Sequence, residues 1–131
     1  MDCPICGKGK LKRGTRRVPY TFRGNTIEVK QPGEWCNACE EGVLSAEDLA
    51  ATTRARHDAI AKADGLLTSD EIRRIRTKLE LSQAEAGEIF GGGVNAFSRY
   101  ERGETMQPRA LDQLLRLLDK HPKQLKELIA A

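Results

Sequence analysis

The sequence predicts two small domains: an α+β module of short antiparallel strands plus a helix over residues 1–65, and an all-α five-helix domain over residues 66–131. Three observations predict this division. All four cysteines lie before residue 40. The alternation of apolar and polar residues that is typical of strands is confined to the segment between the cysteines. After residue 65, stretches with the apolar spacing of helices are separated by glycine and proline.

The cysteines form two C-x-x-C pairs, which are typical of a tetrahedral Zn²⁺ site made of thiolates. With 5% aromatic and 31% charged residues, neither half of the chain can bury a large core, so an ion would organise the first half. Four protein ligands leave no position for a reactive water. We therefore expect one structural Zn²⁺ per chain, held by Cys3, Cys6, Cys36 and Cys39. A redox dithiol is the alternative, although that motif belongs to a βαβ unit, which this sequence lacks.

Between the cysteine pairs we expect a β-hairpin that turns at residues 23–25. The apolar residues that alternate with polar ones on its two strands are Val18, Tyr20, Phe22, Ile27 and Val29. Pro19 lacks an N–H donor, so the first strand should lie at a sheet edge or break there. Residues 33–35, just before the second cysteine pair, could add a third strand.

A helix is expected to follow the second cysteine pair. Ser45 and Asp48 have the spacing of a capping box, and alanine-rich sequence continues to Ala63. The apolar stripe of this segment is thin, which indicates an exposed or lightly packed helix. Asp64 and Gly65 then interrupt the helical pattern and are the expected hinge between the domains.

Five short helices are predicted after residue 65, because start and stop signals recur there at short intervals. Serines are the expected caps of the first two helices, a glycine triplet separates the second from the third, and prolines open the last two. These signals are, in order, Ser69, Ser82, Gly91–Gly93, Gly103, Pro108 and Pro122. The third helix, from about residue 94 to residue 102, should bury Phe97.

Two capped helices around a glycine turn are the layout of a DNA-binding helix-turn-helix. Residues 79–86 resemble the start of this motif in the phage-repressor-like (Xre) class, and residues 98–103 resemble the end of its recognition helix. Asn95 can pair with adenine and Arg99 with guanine in the major groove, and a spacing of four places both on one helix face. The predicted DNA-contacting residues are Ser82, Gln83, Asn95, Ala96, Ser98, Arg99 and Arg102.

Both base-reading residues have alternative roles. Asn95 could merely cap the third helix, and Arg99 could pair with Glu101 or Glu104. Bulk charge does not decide the matter, since the net charge is only +3, with 11 basic and 9 acidic residues in 1–65 and 11 and 10 in 66–131. Any contact with nucleic acid must therefore come from a local arrangement of side chains.

A zinc module followed by an Xre domain resembles the MqsA family of antitoxins. Residues 88–101, with the glycine triplet, are especially similar to the recognition region of that family, and residues 19–24 and 39–41 are similar too. The resemblance implies that the cysteine module neutralises an MqsR-type ribonuclease toxin. It also implies that the helical domain forms a homodimer through its leucine-rich C-terminal helices and represses its own operon at a palindromic double-stranded DNA operator.

The toxin-facing surface is expected on the hairpin, whose edge could accept a strand from a partner. The side chains that could supply contacts are Arg16, Arg17, Tyr20, Phe22 and Arg23. For Tyr20 and Phe22 themselves, the favoured interpretation is that they cover the small core of the zinc module.

The alternative function is a stand-alone zinc-containing Xre-type transcriptional regulator without an MqsR partner. We do not expect an enzyme, because the sequence offers no nucleophile–base set and no open metal position. No stretch of about 18 apolar residues is present and the N-terminus is unlike a signal peptide, so we expect a cytoplasmic protein without membrane contact.

Overall fold

The computed structural model describes residues 1–130 and divides the chain into two compact units, Met1–Arg56 and the part from His57 onward. The division falls inside helix α2 (Thr53–Ala63). It is therefore earlier than the boundary between residues 65 and 66 that the sequence suggested for the functional domains. None of the helices in residues 1–130 combines the length and the apolarity that crossing a membrane requires.

The first unit contains a three-stranded antiparallel sheet in the order β1-β2-β3. The strands are β1 (Leu11–Phe22), β2 (Asn25–Cys36) and β3 (Gly42–Val43). The predicted hairpin is confirmed, but it is longer than the alternation of apolar residues indicated. Its turn residues, Arg23 and Gly24, have φ values of 46° and 80°, as the tight two-residue turns of twisted hairpins require. Pro19 lies on β1, which is an edge strand.

Two details of the first unit differ from the sequence prediction. Residues 33–35 belong to β2, and the third strand comes after the second cysteine pair. The single helix expected from Ser45 to Ala63 is two helices, α1 (Ala46–Ala50) and α2. The chain bends between them because Thr52 is buried and its hydroxyl donates to Gln31 Oε1 (3.2 Å).

The interior around α1 is a polar network. Asp48 completes the predicted capping box with Ser45, and it is only 2% exposed. Arg13 donates two hydrogen bonds to its carboxylate, and Gln31 Nε2 donates to its backbone carbonyl (2.7 Å). The Arg13 guanidinium, followed by the Ser45 N–H, holds the pKa of Asp48 well below its usual value. Helix α1 is thus fixed by charge and hydrogen bonds, although its apolar stripe is thin.

The second unit is helical after residue 68. The helices are α3 (Ser69–Lys78), α4 (Gln83–Phe90), α5 (Ala96–Glu101), α6 (Arg109–Lys120) and α7 (Leu125–Ala130), with a 3₁₀ turn over Pro122–Gln124. The cap of α3 is Thr68, in a capping box with Glu71, and not Ser69 as the sequence suggested. Ser69 is instead the first residue of the helix, and its N–H and hydroxyl donate to the Asp58 carboxylate.

The core of the second unit is apolar. Its largest fully buried side chains include Phe97, Ile72, Ile75, Leu115 and Leu118. The rings of Phe90 and Tyr100 pack against Phe97, with centroids 5.8 and 5.5 Å away. Apolar burial of this kind stabilises the unit without any ion.

The segment expected to act as a hinge is anchored to α6. Asp112, which is 0% exposed, accepts a hydrogen bond from the Leu67 N–H (2.7 Å). Arg116 donates to the carbonyl of Gly65 (2.7 Å), and Arg109 donates to the carbonyl of Asp64 (3.1 Å). Three backbone groups between Asp64 and Leu67 are therefore held by one face of a helix, so Asp64 and Gly65 are not a free hinge.

Candidate metal centre and nucleic-acid interface

The four cysteine sulfurs form a compact cluster, with all Sγ atoms within 4.8 Å of one another. Cys3 and Cys39 are 3.8 Å apart at sulfur, and Cys6 and Cys36 are 3.7 Å apart. A regular tetrahedron with Zn–S bonds of about 2.3 Å has S···S edges of about 3.8 Å. The cluster thus has the dimensions of a Zn²⁺ site, and four sulfur donors are a ligand set that zinc accepts.

The backbone near the first cysteine pair allows the two pairs to meet. The N–H of Cys3 donates to the carbonyl of Gly9 (2.9 Å), which closes the first loop, and Leu11 then pairs with Cys36 across the hairpin. Gly9 lies directly against the second pair. A Cβ at this position would overlap Cys36 Sγ and would lie 2.8 Å from atoms of both Asn37 and Ala38. Only glycine allows this approach.

Backbone N–H groups stabilise negative charge on two of the sulfurs. The N–H groups of Cys39 and Ala38 donate to Cys36 Sγ and lower the pKa of that thiol. The N–H groups of Lys8 and Gly9 lower the pKa of Cys6 to about 6. These hydrogen bonds favour the thiolate form that a metal ion binds.

The pKa of Cys39 is raised, in contrast to the lowered pKa values of Cys6 and Cys36. The N–H of Glu41 lowers its pKa, but burial and the other three thiols outweigh that effect and raise it to about 12. Four thiols this close cannot all ionise by themselves, because the negative charges repel. A divalent cation at the centre would remove that repulsion, so the donor set and its charge both fit Zn²⁺.

A glycine turn connects α4 to α5 in the second unit. Gly91, Gly92 and Gly93 all have positive φ, at 94°, 92° and 88°. Gly87 on α4 packs directly against this turn, because a Cβ there would overlap the carbonyl oxygen of Gly93. The turn backbone is therefore seated on α4, and it sets where α5 begins.

Asn95 and Arg99 are both exposed at this end of the unit. Asn95 occupies the N-cap position of α5, but its side chain makes no capping hydrogen bond, so the alternative role as a cap is wrong. Arg99 does not pair with Glu101, which is 6% exposed and bonded to Arg76. Glu104 pairs with Arg102 instead (3.1 Å). Both predicted base-reading side chains therefore keep their polar groups available.

The other predicted DNA-contacting residues differ in exposure. Ser82 is exposed, and its hydroxyl accepts the N–H of Glu85 as the cap of α4 (3.1 Å). Ser98 is half-buried, and the Arg102 side chain is 59% exposed. Ala96 is only 1% exposed because it occupies the inward position of the first turn of α5, so its methyl group does not reach a ligand.

Sequence reasoning missed a buried ion pair that holds α5 in place. Arg76 on α3 donates to both carboxylate oxygens of Glu101 on α5 (2.7 and 2.9 Å) and to the carbonyl of Leu81 (2.8 Å). Gln83 Nε2 donates to the same carboxylate (3.3 Å). The pair connects α3, α5 and the start of α4. No local spacing could have found it, since Arg76 and Glu101 are 25 residues apart.

The predicted partner-facing aromatic residues lie at the hairpin tip. Tyr20 and Phe22 stack with ring centroids 5.6 Å apart, and the Arg56 guanidinium lies 5.7 Å from the Tyr20 ring centre. The strand pairing runs from Leu11 opposite Cys36 to the tip, a distance of about 36 Å for extended strands. Both rings are half-buried, so the interpretation in which they cover the core of the first unit is not contradicted and stays a prediction.

Comparisons with known proteins cover both units. The profile of a family described as the antitoxin component MqsA of bacterial toxin–antitoxin systems matches residues 1–129. The curated Antitoxin MqsA of Escherichia coli (strain K12) is 42% identical over 130 residues, which are 98% of this chain and 99% of that protein. A solved structure of the N-terminal domain of E. coli MqsA is 32% identical, with a TM-score of 0.45, and covers 50% of this chain and 98% of the solved one. The resemblance read from the sequence is confirmed.

Proposed function

Because the chain belongs to the MqsA family of antitoxins, we propose that it neutralises an MqsR-type ribonuclease toxin through its first unit and represses its own operon through its second. Its role is that of an antitoxin in a toxin–antitoxin system, which is regulatory and not enzymatic. The observation that carries the proposal is the family match over residues 1–129, since it spans the cysteine cluster and the glycine turn alike.

The metal has a structural role in this proposal. Cys3, Cys6, Cys36 and Cys39 hold one Zn²⁺, which supplies positive charge to four clustered thiolates and closes the end of the hairpin. All four positions of a tetrahedral ion are occupied by protein, so it binds no water or substrate. The ion fixes the base of β1 and β2, and the hairpin extends from it as a recognition surface.

The toxin-binding surface in this proposal is the edge and tip of the hairpin. In the part of the chain that the structure describes, strand β1 has a sheet neighbour on one side only, so its other edge can pair with a strand of a partner. The strand contains no acidic residue and four basic ones, Lys12, Arg13, Arg16 and Arg17. Arg13 is already paired with Asp48, so the other three supply the charge that a partner would meet. Tyr20 and Phe22 at the tip add aromatic contact area. An acidic strand on the toxin would complement this edge.

The DNA-reading surface is formed by α4 and α5 acting as a helix-turn-helix of the Xre class. Asn95 pairs with adenine N6/N7 and Arg99 with guanine O6/N7, four residues apart on one helix face. Both side chains are exposed, Asn95 makes no capping hydrogen bond, and within residues 1–130 Glu101 and Glu104 pair with other arginines, which supports this role. The residues that contact phosphate and fix the register are Ser82, Gln83 and Arg102, and Ser98 lies beside Arg99 on the same helix.

Repression at a palindrome requires a two-fold dimer, which we place on the C-terminal helices. Leu117 on α6 and Leu128 and Ile129 on α7 are 49%, 38% and 59% exposed. Burying these side chains between two copies would stabilise a dimer. The two copies of α5 would then lie about 34 Å apart, one helical turn of DNA.

Binding of the full-length chain to DNA from upstream of its own gene tests the second half of the proposal. Arg99→Ala should weaken binding by about 1–3 kcal/mol and relax the preference at one base pair. Arg102→Ala should weaken binding to every sequence and reduce the salt slope by about 1. Arg73→Ala, on the exposed face of α3, is the matched control and should bind normally. Equal loss of specific and non-specific binding for Arg99→Ala would remove Arg99 from base reading.

Co-expression with the product of the neighbouring gene tests the first half. We expect that product to arrest growth alone and to co-purify with the full-length chain. The double variant Arg16→Glu and Arg17→Glu should lose this protection, whereas Lys123→Glu in the second unit should keep it. If the neighbour is harmless or does not co-purify, the chain is instead a stand-alone zinc-containing regulator.

A further inference from the structure

Val94 is an exposed apolar residue next to the base-reading position Asn95. It is 53% exposed, and within residues 83–101 it is the one large apolar side chain with such exposure. The other exposed apolar side chains of the second unit lie on α6 and α7. Isolated exposed apolar residues are common and need no explanation by themselves. Val94 differs from such residues because it lies on the glycine turn, directly before the predicted base-reading residue.

Val94 and Asn95 are the two central residues of one tight turn. The Ala96 N–H donates to the carbonyl of Gly93 (3.2 Å) and closes it. Asn95 has φ −101° and ψ −2°, close to the values of the third residue of a type I turn. Both residues are exposed, so the two side chains reach the surface at the same turn.

The packing of the turn prevents Val94 from rotating inward. Gly87 on α4 lies against the turn, and a Cβ there would overlap the Gly93 oxygen and would lie 3.4 Å from Val94 Cα. The backbone at residues 93 and 94 is therefore held on α4. Valine is also restricted to few rotamers, so little side-chain freedom is lost when its methyl groups meet a ligand.

Given the proposed DNA-reading function, on which this step rests, we propose that Val94 contacts the C5-methyl group of a thymine adjacent to the base pair read by Asn95. In the major groove of unmodified DNA, thymine alone presents an apolar group. A stiff pair of methyl groups beside a polar base reader matches that feature. Val94 thus selects thymine at one position of each half-site by apolar contact, without a hydrogen bond.

Single removal of thymine methyl groups tests this contact. A preferred duplex is first selected with the full-length chain from a randomised pool, and each thymine is then replaced in turn by deoxyuridine, which lacks only the methyl group. Deoxyuridine at one position of either half-site should lower the affinity of the unsubstituted chain for the duplex about fourfold. This factor corresponds to the burial of one methyl group. Val94→Ala removes the contact from both half-sites of the dimer, so it should lose the product of the two single factors on the thymine duplex and nothing more on a duplex with deoxyuridine at both positions.

Leu49→Ala is the matched control, since Leu49 is 46% exposed and lies in the first unit. It should respond to deoxyuridine as the unsubstituted chain does. The same sensitivity to deoxyuridine in Val94→Ala and in the unsubstituted chain would overturn the contact. The DNA-reading proposal would survive that result if Arg99→Ala still loses specificity. A pool that yields no preferred sequence would overturn both.

Discussion

The two units of this chain fill their interiors in different ways. In the second unit, leucine, isoleucine and phenylalanine side chains form one apolar cluster. In the first unit, the buried positions include cysteine sulfurs, a single tryptophan and the polar residues Gln31, Asp48 and Thr52. The Trp35 indole N–H donates to the carbonyl of Gly14 (3.0 Å), so even the aromatic residue is held by a hydrogen bond.

Because of this difference, we expect the two proposed functions to depend on different conditions. Burial of apolar area stabilises the second unit, the proposed DNA-reading unit, wherever the chain is in water. The proposed toxin-binding unit depends on its thiolates being charged and on an ion between them. We therefore expect the metal to control the hairpin and not the helices.

The largest effect should come from removal of the proposed metal. Structural Zn²⁺ contributes on the order of 10 kcal/mol to the folding of small metal-dependent domains. Cys36→Ser, or a chelator added to the unsubstituted chain, should unfold the first unit and leave the helices of the second. Trp35, the single tryptophan, reports the first unit by fluorescence, and circular dichroism reports the helices. If the reduced chain holds well under one zinc and Trp35 emission is unchanged after chelation, the first unit does not depend on a metal for its folding.

The next largest difference between the units should come from replacing one phenylalanine in each. Phe97 is 0% exposed in the apolar core, so Phe97→Ala should destabilise the second unit by about 3–5 kcal/mol. Phe22 is half-buried at the hairpin tip, and Phe22→Ala should cost about 1 kcal/mol or less. Urea titrations followed by circular dichroism and by Trp35 fluorescence measure the two values. A cost for Phe22→Ala equal to that for Phe97→Ala would mean that the hairpin has an apolar core of its own.

The features that could be predicted from sequence are those fixed by neighbouring residues. The spacing within each cysteine pair, the hairpin turn and the capping boxes of α1 and α4 each depend on a few consecutive residues. The exposure of Asn95 and Arg99 agrees with the sequence prediction for a similar reason, since helical spacing alone puts them on one face.

The features that were missed depend on residues far apart in the chain. The hydrogen bond from Leu67 to Asp112 spans 45 residues, and it anchors a segment that looked like a hinge. The bond from Thr52 to Gln31 breaks a helix whose composition favours continuity. Ala96 is buried because α5 is rotated to place Phe97 in the core, and no spacing rule gave that rotation. Tertiary contacts overrode local preference in each case.

Glycine substitutions should give smaller effects that differ between the units. Gly9→Ala forces a Cβ onto Cys36 Sγ and should lower zinc affinity by about 10–100-fold, as for other residues that support metal ligands. Gly87→Ala forces a Cβ onto the Gly93 carbonyl and should destabilise the second unit by about 1–3 kcal/mol. Gly14→Ala is the matched control, since nothing lies within 4 Å of its Cβ position. Competition with a zinc-binding dye and urea titration measure the two effects, and a normal zinc affinity for Gly9→Ala would show that the loop can move away.

The smallest effect should appear as a pH dependence in the second unit. Asp119 accepts hydrogen bonds from Arg74 (3.1 and 3.2 Å) and Lys78 (3.0 Å), and these partners lower its pKa to about 2. A lowered pKa in the folded state means that this carboxylate stabilises the unit above pH 4 and that the contribution disappears as the pH falls toward 2. Because Arg74 and Lys78 are substantially exposed, we expect the free energy of unfolding to fall by only about 1 kcal/mol when Asp119 becomes protonated.

Asp119→Asn isolates this contribution. The difference in unfolding free energy between the unsubstituted chain and the variant should be largest at pH 5 and should shrink as the pH falls below 4. It should vanish only below pH 2, where the carboxyl is protonated in the folded state as well and is as uncharged as the amide. Urea titrations of the helical signal at several pH values measure it, with Glu127→Gln on α7 as the control that leaves the profile unchanged. A difference that stays constant from pH 5 to pH 2 would mean that Asp119 acts through packing and not through its charge.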